Sequence, residues 1–238
     1  MAQTLRIGDA FPDPPFNGAK DDGGLDISMM REVGEVLGTT VEFVPYAGAD
    51  FNGIFAGLDV GDYDCVTAGT TVTPERERLA TFCAPYLISG QSLAVDVSRH
   101  PQVHTVDDLA GLTIGVQQGN TSQPIAEKLV ASGKAKAVRV YDYGRIRDAI
   151  TDLTTGGCDA FMKLAPVLTE LVRRVDGIEV VQRGISTERI AIAVRRSDAE
   201  LLRRINAAQQ ELENDGRLPD FRLQWLGSPV LDQSERRR

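Results

Sequence analysis

Short apolar runs of β-forming residues alternate with longer stretches whose apolar side chains recur every three or four positions, and this alternation constrains the fold most. The pattern opens with Leu5-Arg6-Ile7, a short strand, and a loop stiffened by Pro12, Pro14 and Pro15. Ile27, Met30, Val33 and Leu37 then share one helical face, with Asp26 as the expected N-cap and Gly38 at the stop. Val41-Glu42-Phe43-Val44 reads as the next strand, residues 53–58 as a helix, and Asp64-Cys65-Val66-Thr67 as a third strand. Strands separated by helices build a largely parallel sheet covered by helices, and ligands meet such sheets at the loops that follow the strands. The loop Ala68-Gly69-Thr70-Thr71-Val72-Thr73-Pro74-Glu75-Arg76 occupies that place, and Thr73 and Pro74 have the character of an N-cap and a first helical residue.

A polar, strand-poor stretch runs from Asp96 to Asp108, and Leu112-Thr113-Ile114-Gly115 then echoes Leu5-Arg6-Ile7-Gly8. A second βα layer follows, with a helix over 122–132, the strand Val138-Arg139-Val140, and a helix carrying Ile146, Ile150 and Leu153 on one stripe. Asp159-Ala160-Phe161-Met162 and Ile178-Glu179-Val180-Val181 add strands, and residues 189–194 read as one more. Ser197-Asp198-Ala199-Glu200 has the form of a capping box that opens a helix ending near Gly216. The expected organisation is an α/β chain of two lobes with two mixed sheets. Residues 1–95 and 190–238 form the first lobe and 96–189 the second, joined by two segments near Val95 and Ile185 that act as a hinge.

At 238 residues the chain can build two modest cores, and it contains no apolar run near the roughly 20 residues of a membrane-spanning helix. A net charge of −8 argues against a nucleic-acid partner, since the basic residues cluster only at Arg236-Arg237-Arg238. Three scattered cysteines, Cys65, Cys83 and Cys158, form neither a disulfide framework nor a metal-ligand set, and Cys65 lies in an apolar stretch that fits a small buried residue. No metal or cofactor is expected. His100 and His104 fall in the polar stretch, where solvation is expected rather than catalysis. The start Met1-Ala2-Gln3 lacks a secretion signal, which leaves a cytoplasmic protein or one whose signal has been removed.

Several segments together resemble the extracytoplasmic solute-binding proteins of family 3, the polar amino acid receptors of ABC importers, whose type II periplasmic-binding fold is shared with ionotropic glutamate receptor ligand cores. The carriers are Thr71-Val72-Thr73-Pro74-Glu75-Arg76, Phe82-Cys83-Ala84-Pro85-Tyr86, Ser89-Gly90-Gln91 and Phe51-Asn52-Gly53-Ile54. Gly115-Val116-Gln117-Gln118-Gly119-Asn120-Thr121, Gly157-Cys158-Asp159-Ala160, Asn214-Asp215-Gly216 and Trp225-Leu226-Gly227 complete the set, which spans nearly the whole chain. The resemblance implies a ligand carboxylate gripped by Arg76, whose guanidinium fork matches a carboxylate bidentately, with Thr71 sharing that carboxylate and Gly69 letting backbone approach it. Asn120 and Thr121 head a helix whose free N–H groups attract an anion, or serve only as its cap. Phe51 packs on the ligand's apolar part or in the core, and Phe11 joins the same wall.

The family's amino-acid binders carry an acid for the ligand's α-ammonium five positions beyond the residue that is Asp159 here, and this chain has Leu164 there. Beside it stands Lys163, and Asp13 replaces the usual aromatic of the first loop. Three readings stay open. Lys163 points inward and favours a ligand with a second acidic group or acceptor; Asp13 takes over the ammonium; or Lys163 and Asp13 are surface charges. The resemblance further implies a monomer that works in the periplasm or outside the cell, free or tethered to the membrane, and passes its ligand to an ABC-transporter permease. Two alternatives are an enzyme like cyclohexadienyl dehydratase, for which no Ser–His–Asp, Cys–His or metal motif is evident, and the sensor domain of a membrane receptor.

Overall fold

The computed structural model describes residues 4–18 and 23–234. Its contacts divide the chain into two compact units. The first holds the described residues of Met1–Ala47 with Asn52–Ile88 and Glu188–Gln233, and the second holds Gly48–Phe51, Ser89–Thr187 and Ser234. The chain therefore leaves the first unit after Ile88 and re-enters it at Glu188. The passage expected near Val95 falls at the end of a strand that pairs on both sides within the second unit.

In the first unit, β1 (Thr4–Asp9) lies parallel to β2 (Thr40–Pro45) and β3 (Cys65–Val66), while β12 (Ala193–Val194) runs antiparallel between β3 and β4 (Thr81–Phe82). The sheet order is β2-β1-β3-β12-β4. Helix α1 (Leu25–Leu37) packs on β2, on α7 (Ala199–Asn214) and on α8 (Arg217–Leu226), and buries Ile27, Met30 and Val33 as the periodicity requires. Leu37, the fourth residue of that stripe, is only half-buried at the helix end, where Gly38 adopts the left-handed cap. Two short elements flank β3: α2 (Ala56–Val60), which follows a 3₁₀ turn at Phe51–Phe55, comes before it, and α3 (Pro74–Glu77) closes the loop after it. Gly8 must be glycine because a Cβ there would stand 2.6 Å from the Tyr63 ring.

Two caps differ from the sequence reading. Gly24, not Asp26, is the N-cap of α1, because the Asp26 side chain is drawn away to other partners. Asp198, not Ser197, caps α7 and accepts from Leu201 N at 2.9 Å. The single strand expected over 189–194 is broken into β11 (Glu188–Ile190), which pairs with β5 (Leu87–Ser89), and β12.

The second unit is built on the order β10-β6-β9-β7-β8. Strand β7 (Thr113–Gln117) is parallel to β8 (Ala137–Tyr141) and β9 (Ala160–Leu164), and β6 (Gln91–Asp96) is antiparallel to β9 and to β10 (Ile178–Gln182). Helix α4 (Ser122–Ala131) covers one core with Leu93, Ile114, Val116 and Met162. Helices α5 (Ile146–Thr155) and α6 (Ala165–Val172) enclose another around Phe161, Leu153 and Leu168. All three cysteines are free and buried, and burial pushes the Cys65 thiol well above its usual range. His100 departs from expectation: its side chain is largely buried, with Nε2 3.1 Å from Asp159 Oδ1, whereas His104 is exposed.

Candidate functional site

The loop after β3 is held in the first unit by bonds that run its whole length. Gly69 N donates to Asp26 Oδ2 at 2.7 Å, Ala191 N to Thr70 O at 3.0 Å, and Val72 N to Arg189 O at 2.8 Å. Gly69 takes φ +55, and a Cβ there would lie 2.9 Å from the Phe16 ring, so both the backbone and the space require glycine. Thr73 Oγ1 caps α3 by accepting from Arg76 N at 3.2 Å, with Pro74 as the first residue of the turn.

This capped turn presents Arg76, which is 4% exposed. Its Nε donates to Asn52 Oδ1 at 3.0 Å, its Nη1 donates to Thr71 O at 2.9 Å, and the guanidinium carbon stands 5.8 Å from the centre of the Phe55 ring. Two hydrogen bonds and an aromatic face fix the plane of the guanidinium, so its orientation is set in advance. Thr71 is buried as well, and its hydroxyl donates to Glu188 Oε2 at 2.6 Å. The proton expected to reach a ligand carboxylate is thus committed to Glu188.

Behind the loop lies a set of buried acids. Asp26 accepts from Gly69 N and, through Oδ1, from the Tyr86 hydroxyl at 2.6 Å. Burial pushes its carboxyl up to about 7, against the lowering effect of those two bonds. Asp9, at the end of β1, is raised well above the carboxylate range by burial and by the charge of Asp26, although Asn17 Nδ2 donates to its Oδ1 at 2.6 Å. Asp13 is 8% exposed, and its charge raises both neighbours. Phe11 in the same loop is half-buried.

The second unit gathers its own polar group. Lys163, on β9, is 2% exposed; its Nζ donates to Gln117 Oε1 at 2.6 Å and stands 5.6 Å from the centre of the Tyr143 ring. Gln117 Nε2 in turn donates to Tyr143 O at 2.5 Å. The reading of Lys163 and Asp13 as surface charges therefore fails for both residues. Phe51 belongs to this unit, where its ring packs 5.2 Å from that of Tyr143 and its N–H donates to Gln118 O. Asn120 and Thr121 lie at the head of α4, Thr121 at the N-cap position, but the Thr121 side chain does not cap the helix: its Oγ1 accepts from Gln91 Nε2 at 3.0 Å. Leu164 ends β9 nearly buried and pairs with Gln91.

The structure thus gathers Gly69, Thr71 and Arg76 in the first unit and Phe51, Asn120, Thr121, Lys163 and Leu164 in the second, with Asp13 and Phe11 on the loop after β1. Sequence reasoning assigned no role to Asn52, Glu188, Gln117 or Tyr143. Asn52 and Gln117 lie inside segments that carried the resemblance, whereas Glu188 and Tyr143 had no local signal.

Three comparisons bear on this arrangement. The model of bacterial extracellular solute-binding proteins, family 3, matches residues 5–228. The L-cystine-binding protein TcyJ of Escherichia coli is 29% identical over 231 residues, covering 95% of this chain and 84% of that protein. An ancestral arginine-binding protein solved with glutamine superposes with a TM-score of 0.85 at 33% identity, covering 96% of this chain and 100% of that one. A further solved structure, of the ancestral amino acid-binding protein AncCDT-1, described as a precursor of cyclohexadienyl dehydratase, gives a TM-score of 0.82 at 29% identity and covers 93% and 95% of the two chains. The α/β type II binding fold expected from the sequence is the fold of these neighbours.

Proposed function

Since the chain belongs to the bacterial extracellular solute-binding proteins, family 3, we propose that it captures a small carboxylate-bearing solute, an amino acid or a related organic acid, and delivers it to the permease of an ABC importer. It works as a monomer outside the cytoplasmic membrane; no helix among the described residues is long and apolar enough to cross one. The observation that carries the proposal is Arg76: a nearly buried guanidinium, oriented by Asn52, Thr71 and the Thr73 cap before any ligand arrives. Charge-assisted pairing with a carboxylate is strongest where the donor fork is fixed and water is scarce.

A thermal-shift panel of the standard amino acids and small di- and monocarboxylic acids tests this. A ligand present at about 100 times its Kd stabilises the folded chain by about 2.7 kcal/mol, a shift readily seen. Arg76→Ala should abolish every shift while circular dichroism shows the fold retained and the ligand-free melting temperature falls for want of the bonds to Asn52 and Thr71, and Arg76→Lys should keep only a weak shift. Unchanged shifts in Arg76→Ala would refute the assignment. The chain is proposed to be a receptor rather than an enzyme, as its cystine- and arginine-binding relatives are described as binding proteins. Turnover of cyclohexadienyl carboxylic acids, followed by absorbance, would reassign it.

A further inference from the structure

The position that should hold an acid for a ligand ammonium carries Leu164, a side chain with nothing to offer a cation. A desolvated ammonium left without an acid is costly, so either the ligand has no ammonium or another residue supplies the charge. The first unit holds such a residue beside Arg76. Glu188 opens β11, is 6% exposed, and accepts the Thr71 hydroxyl at 2.6 Å, while the Thr71 carbonyl accepts Arg76 Nη1 at 2.9 Å. One residue thus bonds to the guanidinium through its backbone and to a carboxylate through its side chain. The two charges consequently lie no more than about 10 Å apart, the reach of an α-amino acid's carboxylate and ammonium with one hydrogen bond added at each end.

The arrangement is rigid. Thr71 bridges to Ile190, and the bonds from Val72 N to Arg189 O and from Ala191 N to Thr70 O lace the loop to the chain just after Glu188, on either side of the Thr71–Ile190 pair. The Thr71 hydroxyl gives its proton to Glu188, so toward a ligand its oxygen could serve only as an acceptor, which suits an N–H donor rather than a second carboxylate. On these grounds, and resting on the receptor reading above, we propose that Glu188, with the Thr71 hydroxyl, recognises the α-ammonium of the ligand. The ligand class is then the zwitterionic α-amino acids, not dicarboxylic acids.

The test compares Glu188→Gln, which keeps an acceptor for Thr71 and removes only the charge, with Asp13→Asn and Arg76→Ala. Calorimetry would use pairs differing only in the ammonium: L-arginine with 5-guanidinopentanoate, and L-glutamine with 4-carbamoylbutanoate, with glutarate as the dicarboxylate. The native protein should bind at least one amino acid about 30-fold or more tighter than its deamino partner, the usual value of a charged hydrogen bond. Glu188→Gln should lose that preference while its affinity for the deamino partner changes by less than about 3-fold, and Asp13→Asn should keep the preference. Arg76→Ala should weaken both members of the pair.

Glutarate bound in preference to every amino acid, or a preference lost in Asp13→Asn and kept in Glu188→Gln, would overturn the assignment of Glu188 and leave the Arg76-dependent receptor standing. No binding of any probe by the native protein, or binding untouched by Arg76→Ala, would remove the receptor reading and Glu188 with it.

Discussion

Replacing Asp26 by Asn should flatten the pH dependence of stability. The carboxyl is fully buried, and burial lifts it from its ordinary value of 3.8 to about 7. The folded chain therefore holds this proton more tightly than the unfolded chain, so the group favours folding in acid and the benefit is lost as pH rises through about 7. Between pH 5 and pH 8 the difference integrates to about 2.5 kcal/mol of stability lost by the native protein from this one group. Asparagine removes the titration yet fits the site, since its oxygen can accept from Gly69 N and its amide can donate to a turned Tyr86 hydroxyl. Asp9 is common to both proteins, but without a charge at position 26 its own carboxyl is no longer opposed, which widens the difference further. Urea unfolding at pH 5, 6, 7 and 8 would measure it. Parallel stability profiles for the two proteins, within about 0.5 kcal/mol across that range, would refute the assignment of a raised Asp26.

Three further perturbations follow from the same physics. Arg222 is 1% exposed and joins Pro229 O, Tyr86 O and both oxygens of Glu213, so Arg222→Ala should cost about 3–5 kcal/mol in urea unfolding, because the buried carbonyls and the acid lose their donor. Thr73→Ala should cost about 1 kcal/mol of stability and also weaken ligand binding, since the cap it removes presents Arg76. Gly8→Ala drives a methyl into the Tyr63 ring and should lower stability by about 1–3 kcal/mol, seen as a lower urea midpoint with unchanged slope.

Much of the fold is legible in the residues because most elements keep one face wet. Helix α1 shows its period plainly, and β2 carries exposed residues between half-buried ones. The strand β6 does not: all six of its residues are buried, between β9 and β10 and beneath helices, so no polar alternation marks it. That hidden strand is also why the passage between units reads too late in the sequence. A buried strand flanked by a polar stretch looks like the end of one domain, when it is an interior member of the next sheet.

The site was legible wherever a short motif carries its own geometry, as in Thr73-Pro74-Glu75-Arg76, where cap, turn and guanidinium are contiguous. Glu188 lies 117 positions from Thr71 and meets it only because β11 returns beside the loop, a pairing that no local pattern encodes. The misreading of Asp26 has the same cause. In sequence it stands where a helix cap belongs, yet its carboxylate serves Gly69 and Tyr86, which lie 43 and 60 residues away. Both acids act at long range on the one loop that presents Arg76. An acid missing from its customary place in such a chain is therefore to be sought across that loop, among the strands that return to it, before the ligand is judged to lack an ammonium.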